Sequence, residues 1–460
     1  MRAGDQEPSL ERQRGLRRAW LRSERTAPRL IARPIERFLQ LEAGSAALLM
    51  AAAIAALVWA NAAGDSYGDF WSTEIGFELG GFTLEDDLLH VVNDLLMAVF
   101  FYVVALEVKR EVRFGSLRDP ASAAVPVAAA LGTMLGGAAA YVAVNIDGGE
   151  LGGWAVPIAT DIAFAIGALG LVGKRAPREL RIFLLTLAVV DDLATIAVIA
   201  FFFSEGIVFG WLAAAAGLTL LVVVLQRLHV RYMPVYVGVA AVLWVAVFES
   251  GIHATIAGVV LGFLTPAVAF HPRQRAGDAI AGRLAEVARA EDVEVSESTV
   301  WEVSRVAREG VSPLARMEAQ LHPWSAYVIL PLFALANAGV VVSGDTLGDA
   351  LTSQVGLGIL LGLVVGAPVI GLALAWAVVR FTPARMPEGL DWPSIGALAP
   401  LKGIGFTVAI FISVLAFDND VAREQAKLAI LLASALAGII GVSALFLRHR
   451  ITRPARAEPG

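Results

Sequence analysis

The chain has 460 residues, 57% hydrophobic and 17% charged, well below the roughly 25% charged of an ordinary globular domain. Mean hydropathy is +0.69, and no polar stretch is long enough for a soluble domain. The absence of cysteine excludes disulfides and thiolate metal sites, and the formal net charge of −6 says less than where the charges fall.

Residues 1–37 are Arg-rich and polar, and an apolar run from about Gly44 to Ala60 follows. The basic stretch is too long for a secretory signal and no small-residue cleavage site closes the run, so it reads as a retained first helix. Eleven further apolar segments lie near 88–107, 121–144, 154–172, 180–203, 207–226, 234–248, 252–270, 322–341, 355–379, 393–417 and 424–447. The fold class predicted is an all-α integral membrane protein of twelve spans, several shorter than the roughly 20 residues of a straight crossing. Residues 38–448 form the membrane domain, between the basic segment 1–37 and a basic tail, 449–460.

Lys and Arg set the orientation. Alternate loops hold Lys109, Arg110, Arg113 and Arg118; Lys174, Arg175, Arg178 and Arg181; Arg227 and Arg231; and Arg380 and Arg385, with Arg448, Arg450, Arg453 and Arg456 in the tail. The other loops are acidic or neutral, with Asp65, Asp69, Glu74, Asp86 and Asp87, then Asp147, Glu150, Glu205, Glu249, Asp345, Asp349, Asp418 and Asp420. Their one base, Arg423, borders the last span. Both termini are therefore predicted cytoplasmic, as is the charged, Ala-rich loop 271–320, which reads as a solvated helical linker or a regulatory lid.

Three acids fall inside apolar spans: Asp161, directly after Thr160, and the neighbours Asp191 and Asp192. Each costs roughly 2.5–3.5 kcal/mol to insert, so the three add about 7–10 kcal/mol, and such acids mark a cation or proton pathway. The doublet is about 100° apart on a helix, so one acid faces an ion site and the other a neighbouring partner. Pro157 precedes Asp161 in span four, and Gly403 and Gly405 flank Ile404 in span eleven, so both helices are predicted to be interrupted. Spans three to five and ten to twelve each carry the interrupted helix in the middle, running in opposite directions. Such inverted-topology repeats point to a midplane site where the interrupted helices cross. Asp161 can offset the positive half-helix ends there.

Elsewhere the residues leave two readings open. Asp94, beside Asn93, is an interfacial cap or a pathway residue; Glu107, Lys109, Arg110 and Glu111 are solvated charges or a working cluster. His253 can titrate near neutral pH or simply be hydrogen-bonded. His322 next to Pro323 marks a helix start.

Several motifs carry a family resemblance. Asn93-Asp-Leu-Leu-Met-Ala-Val-Phe-Phe101, Leu106-Glu-Val-Lys-Arg-Glu111, Ala159-Thr-Asp-Ile-Ala-Phe-Ala-Ile-Gly167 and Leu187-Ala-Val-Val-Asp-Asp-Leu193 resemble the bacterial NhaA sodium/proton antiporters. So do Ser250-Gly-Ile-His-Ala-Thr-Ile-Ala-Gly258, His322-Pro-Trp324, Ala334-Leu-Ala-Asn-Ala-Gly339 and Gly403-Ile-Gly-Phe-Thr407, in order over about residues 36–448. The resemblance implies a pH-regulated antiporter of the bacterial inner membrane that extrudes sodium, and lithium with it, in exchange for protons. Its partners would be those ions and membrane lipid, with no cofactor and no nucleic acid, and homodimerisation is left open. It also implies that Asp192 binds sodium in competition with protons, with Asp191 as its essential neighbour. Thr160 and Asp161 would sit at the helix crossing, and Asp94 would line the approach. Glu107, Arg110, Glu111 and Glu318 would form a cytoplasmic pH-responsive region, with His253 in a pH-tuning position.

One departure stands out. The family carries a lysine in span ten, in a Gly-Lys-Pro setting, paired with the first acid of the doublet; this chain reads Gly366-Ala-Pro368. It has instead Lys402 in the interrupted eleventh span, which either supplies the displaced charge to Asp161 or Asp191 or snorkels to the interface. Two other functions make different demands. An intramembrane aspartyl protease would need Tyr-Asp and Gly-x-Gly-Asp motifs, which the spans lack. A proton-coupled symporter of a small organic solute would need a larger polar cavity with aromatic or Arg clamps, which are not evident.

Overall fold

The computed structural model describes residues 42–79, 82–173, 176–204, 206–270, 273–289 and 293–452. The basic segment 1–37, most of the tail, and Lys174, Arg175 and Glu205 lie outside these described residues. The elements in chain order are α1 Glu42–Ala62, α2 Ser66–Trp71, β1 Glu74–Leu79, β2 Phe82–Asp87, α3 Leu88–Phe114 and α4 Pro120–Asn145. A 3₁₀ segment Leu151–Ile158 leads into α5 Ile162–Val172, followed by α6 Arg178–Phe202, α7 Phe209–Arg227, α8 Met233–Phe248 and α9 Thr255–Leu264. Then come α10 Arg273–Arg289, α11 Val293–Glu309, α12 over 313–337, α13 Gly344–Thr352 and α14 Gln354–Phe381. The chain closes with α15 Trp392–Leu398 and its 3₁₀ extension Ala399–Gly403, α16 Phe406–Ala416 and α17 Asp420–Thr452.

Among the described residues, eight helices are long and apolar enough to cross a membrane, and the α15–α16 pair, bent by 44°, makes a ninth. α8 and α9 are shorter apolar helices. This is an α-helical membrane protein, and every predicted apolar segment overlaps one of these helices except 322–341, which overlaps α12 instead.

Two readings need correction. Residues 74–79 and 82–87, expected within an acidic loop, pair as antiparallel strands, with Ile75 opposite Asp86 and Phe77 opposite Leu84. His322-Pro323 does not start a helix: α12 starts at Pro313, capped by Ser312, and Pro323 lies inside it. A π-helical turn, Ser325–Ile329, follows it. The charged loop 271–320, read as a helical linker or a lid, holds α10 and α11 among its described residues, joined by an Arg283–Glu302 ion pair. Its neck is closed by Phe270 N–H donating to the Glu309 carbonyl (3.1 Å) and by an Arg231–Glu309 ion pair (2.6 Å).

The core is assembled by close backbone approach. A Cβ at Gly136 of α4 would lie 2.1 Å from the Gly366 carbonyl oxygen of α14, and one at Gly137 would lie 2.3 Å from the Pro157 carbonyl oxygen. Gly362 faces Pro157 from the other side, so the 3₁₀ segment is wedged between α4 and α14. Small residues permit such approach where lipid supplies no hydrophobic drive. Gly136→Ala is expected to push α4 from α14 and lower stability by about 1–3 kcal/mol. A thermal midpoint in detergent equal to that of the wild type would contradict this seam.

Helix ends account for charges that the loop rule leaves unexplained. Arg423, the base on the acidic side, donates from Nε (3.2 Å) and Nη2 (2.9 Å) to the Phe417 carbonyl just past α16. It caps that helix end, where a cation is favoured. Asp391 caps α15, accepting from Ser394 N–H (2.9 Å) and from Arg448 (2.8 Å). Ser394 first, then Arg448, holds its carboxyl below the usual range.

Candidate ion site at the helix crossing

The two interrupted spans cross at their breaks. Asp161 N–H donates to the Ile404 carbonyl (2.7 Å), and the Thr160 hydroxyl donates to the Lys402 carbonyl (3.1 Å). The helical halves α5 and α16 both begin here, so two positive helix ends are brought together. One carboxylate serves both. Asp161 Oδ1 accepts from Phe164 N–H (3.0 Å) in the first turn of α5, and Oδ2 accepts from Thr407 N–H (3.2 Å) and the Thr407 hydroxyl in the first turn of α16. Ser434 of α17 adds a cap, accepting from Phe406 N–H (3.1 Å).

Asp191 and Asp192 sit in the middle of α6, both buried. Lys402 reaches Asp191, not Asp161: its ammonium is paired with Oδ2, and the side chains are 2% and 1% exposed. Lys402 is therefore inside the bundle rather than snorkelling. Asp191 Oδ1 is buried without a hydrogen-bond partner among the described residues. A cavity of about 20 Å³, enough for one water, lies between Lys402, Thr133 and Pro368. Ala367, next to Pro368, is buried, so the position of the family's lysine is filled by a methyl group.

The three acids therefore differ in kind. Asp161 is saturated by donors, Asp191 is held by an ammonium, and Asp192 accepts no hydrogen bond among the described residues. Asp192 is 8% exposed and lies within electrostatic reach of Glu107, Asp191, Lys402 and Asp161.

The remaining candidates fall into two groups away from the crossing. Asp94 lies in a π-helical turn, Val91–Leu96. It does not cap α3, a role taken by Asp87, which accepts from His90 N–H (2.7 Å). Its carboxylate is 3.8 Å from His253 Nε2. His253 Nδ1 lies 3.1 Å from the Thr255 hydroxyl, and its ring packs on Phe411 of α16. Asn93 beside it accepts from Asn337 Nδ2 (2.8 Å). At the other end of α3, Arg110 pairs with Glu318 of α12, and His322 Nε2 is 3.7 Å from Glu107. Glu111 is not in that cluster; it accepts from Ser116 N–H (2.6 Å) and the Ser116 hydroxyl, which also contacts Thr186 of α6. Thr407 and Thr133 are site-lining residues to which the sequence reading gave no role.

Among the described residues, a helical membrane bundle with buried carboxylates, a carboxylate–ammonium pair and two crossed helix breaks fits an ion-transport protein. The sequence profile of the family described as Na+/H+ antiporter 1 matches residues 36–445, and the chain belongs to that family. The chain is 44% identical over 421 residues to the Na(+)/H(+) antiporter NhaA of Rhodopirellula baltica, covering 90% of this chain and 93% of that protein. It is 43% identical to NhaA 2 of Myxococcus xanthus (90% and 89% covered) and 41% identical to NhaA 2 of Sorangium cellulosum (95% and 94%). The protein is a Na+/H+ antiporter of a bacterial membrane, and the protease and symporter readings are not favoured.

Proposed function

We propose that sodium and protons compete for Asp192, and that this competition is the coupling step. The observation that carries the reading is the Asp192 carboxylate, without a hydrogen-bond donor or a paired cation among the described residues, beside Asp161, which donors hold, and Asp191, whose charge Lys402 pairs. Sodium requires the ionised form, and a proton on the carboxylate removes it. A carrier that changes its facing only when the site is loaded exchanges one ion for the other. Lys402 neutralises Asp191, so that only one negative charge of the doublet is free in the empty site. Asp161 and Thr407 keep the crossing assembled. Asp94 and His253 line the approach at one end of α3, and Glu107, Arg110 and Glu318 respond to pH at the other.

The architecture that goes with this is twelve spans over residues 38–448, with both termini cytoplasmic in the inner membrane. The spans beyond the nine long ones are α8, α9 and α12. Spans three to five (α4 to α6) and ten to twelve (α14 to α17) are inverted repeats. Two features support this: both central spans break at mid-length, and the breaks bond each other. Lithium is a second substrate ion, α10–α11 are cytoplasmic, and lipid surrounds the bundle.

Competition sets the sign of the pH dependence. As pH falls, more sites carry a proton, so apparent sodium affinity falls and activity is low in acid. For one competing proton the apparent KM rises by up to about tenfold per pH unit in the acid range. Sodium-induced pH change in everted vesicles measures it, and a KM that stays flat from mildly acidic to alkaline pH would exclude simple competition.

A further inference from the structure

Lys109 lies in the charged run at the end of α3, yet it does not pair with an acid among the described residues. Its ammonium donates to two carbonyls of another element, Phe263 (2.6 Å) and Thr265 (2.7 Å), at the end of α9. These belong to the last turn of a helix, whose carbonyls have no partner within the helix and whose dipole favours a cation. α9 has only ten residues, and it lies against α3 along its length. A Cβ at Gly258 would be 2.0 Å from the Ala98 carbonyl oxygen, and one at Gly262 would be 2.9 Å from the Tyr102 carbonyl oxygen. The Tyr102 and Thr265 hydroxyls are 3.2 Å apart. Just before α9 begins, His253 Nε2 faces Asp94 of α3 at 3.8 Å.

We propose that Lys109 is a positioning residue for the ion pathway: by clamping the carbonyl end of α9 to α3, it makes the two helices one body and holds His253 against Asp94 at the far end. The two ends are separated by 15 residues of α3, about 22 Å at 1.5 Å per residue. The inference rests on the antiporter reading, in which Asp94 lines the approach.

The test is a double-mutant cycle on the full-length protein in everted vesicles, reading apparent sodium KM and maximal rate. Sites this far apart are ordinarily additive, so coupling between them is informative. Lys109→Ala is expected to raise KM about threefold or more while the maximal rate changes less than about twofold. Lys109→Ala combined with His253→Ala should be no worse in KM than His253→Ala alone, and Lys109→Arg should retain wild-type KM. Lys109→Met, which keeps the stem and loses the ammonium, is measured alongside and should behave as Lys109→Ala. Additive effects of the Lys109 and His253 substitutions, or a wild-type KM in both Lys109→Ala and Lys109→Met, would overturn the proposal. Wild-type vesicles in the same assay separate this from failure of the antiporter reading, which would show as no sodium-induced pH change at all.

Discussion

Asp192→Asn is expected to reduce sodium-driven proton movement in everted vesicles to the level of vesicles lacking the protein. The substitution keeps the shape of the side chain and removes the ionisable group that must hold either cation. No neighbour can take over. Asp161 is occupied by Phe164 and Thr407, and Asp191 by Lys402. Asp191→Asn should also be severe, because it leaves the Lys402 ammonium buried without its counter-charge. Asp161→Asn is expected to leave partial exchange, since the breaks remain joined through Ile404 and Thr160. Substantial exchange in Asp192→Asn would remove the proposed site.

The second large effect concerns Lys402. Removing one partner of a buried ion pair leaves an uncompensated charge and costs about 3–5 kcal/mol. Lys402→Ala is therefore expected to lower the thermal midpoint and exchange strongly, or to shift the pH profile as Asp191 takes up a proton in place of its lost partner. Ala367→Lys alone should be harmful, because it would bring a second ammonium to one carboxylate. Combined with Lys402→Ala it should restore part of the activity: Ala367 adjoins Pro368, which lines the cavity shared with Lys402 and Thr133. Wild-type activity, midpoint and pH profile in Lys402→Ala would show that this ammonium has no part in the cycle.

The residues of the crossing were legible because they break the rule of their surroundings. Charges in apolar runs, and Pro157, Gly403 and Gly405 within them, stand out at any register. Which carboxylate Lys402 would meet was not legible, because that depends on how α6 and the α15–α16 break are rotated against each other. Thr407 was overlooked for a related reason. Its signal is positional: it lies in the first turn of α16, which a single carboxylate caps together with the first turn of α5. The hairpin did carry a signal, with Ile75, Phe77, Leu79, Phe82 and Leu84 alternating about Gly80-Gly81. Arg423 and Lys109 looked like loop charges, and only the three-dimensional fold brings each to a helix's open carbonyl end.

The central claim, that one carboxylate holds sodium or a proton but not both, is tested most directly by binding rather than transport. Sodium is added to the purified protein in weakly buffered detergent solution, with proton release and sodium binding recorded together. Competition at Asp192 predicts that, at a pH where the empty site is protonated, protons appear in step with bound sodium in the wild type, that the release fades toward alkaline pH, and that Asp192→Asn gives neither signal. Sodium binding to the wild type with no proton release at any point of the acid range, where the empty site carries its proton, would contradict it.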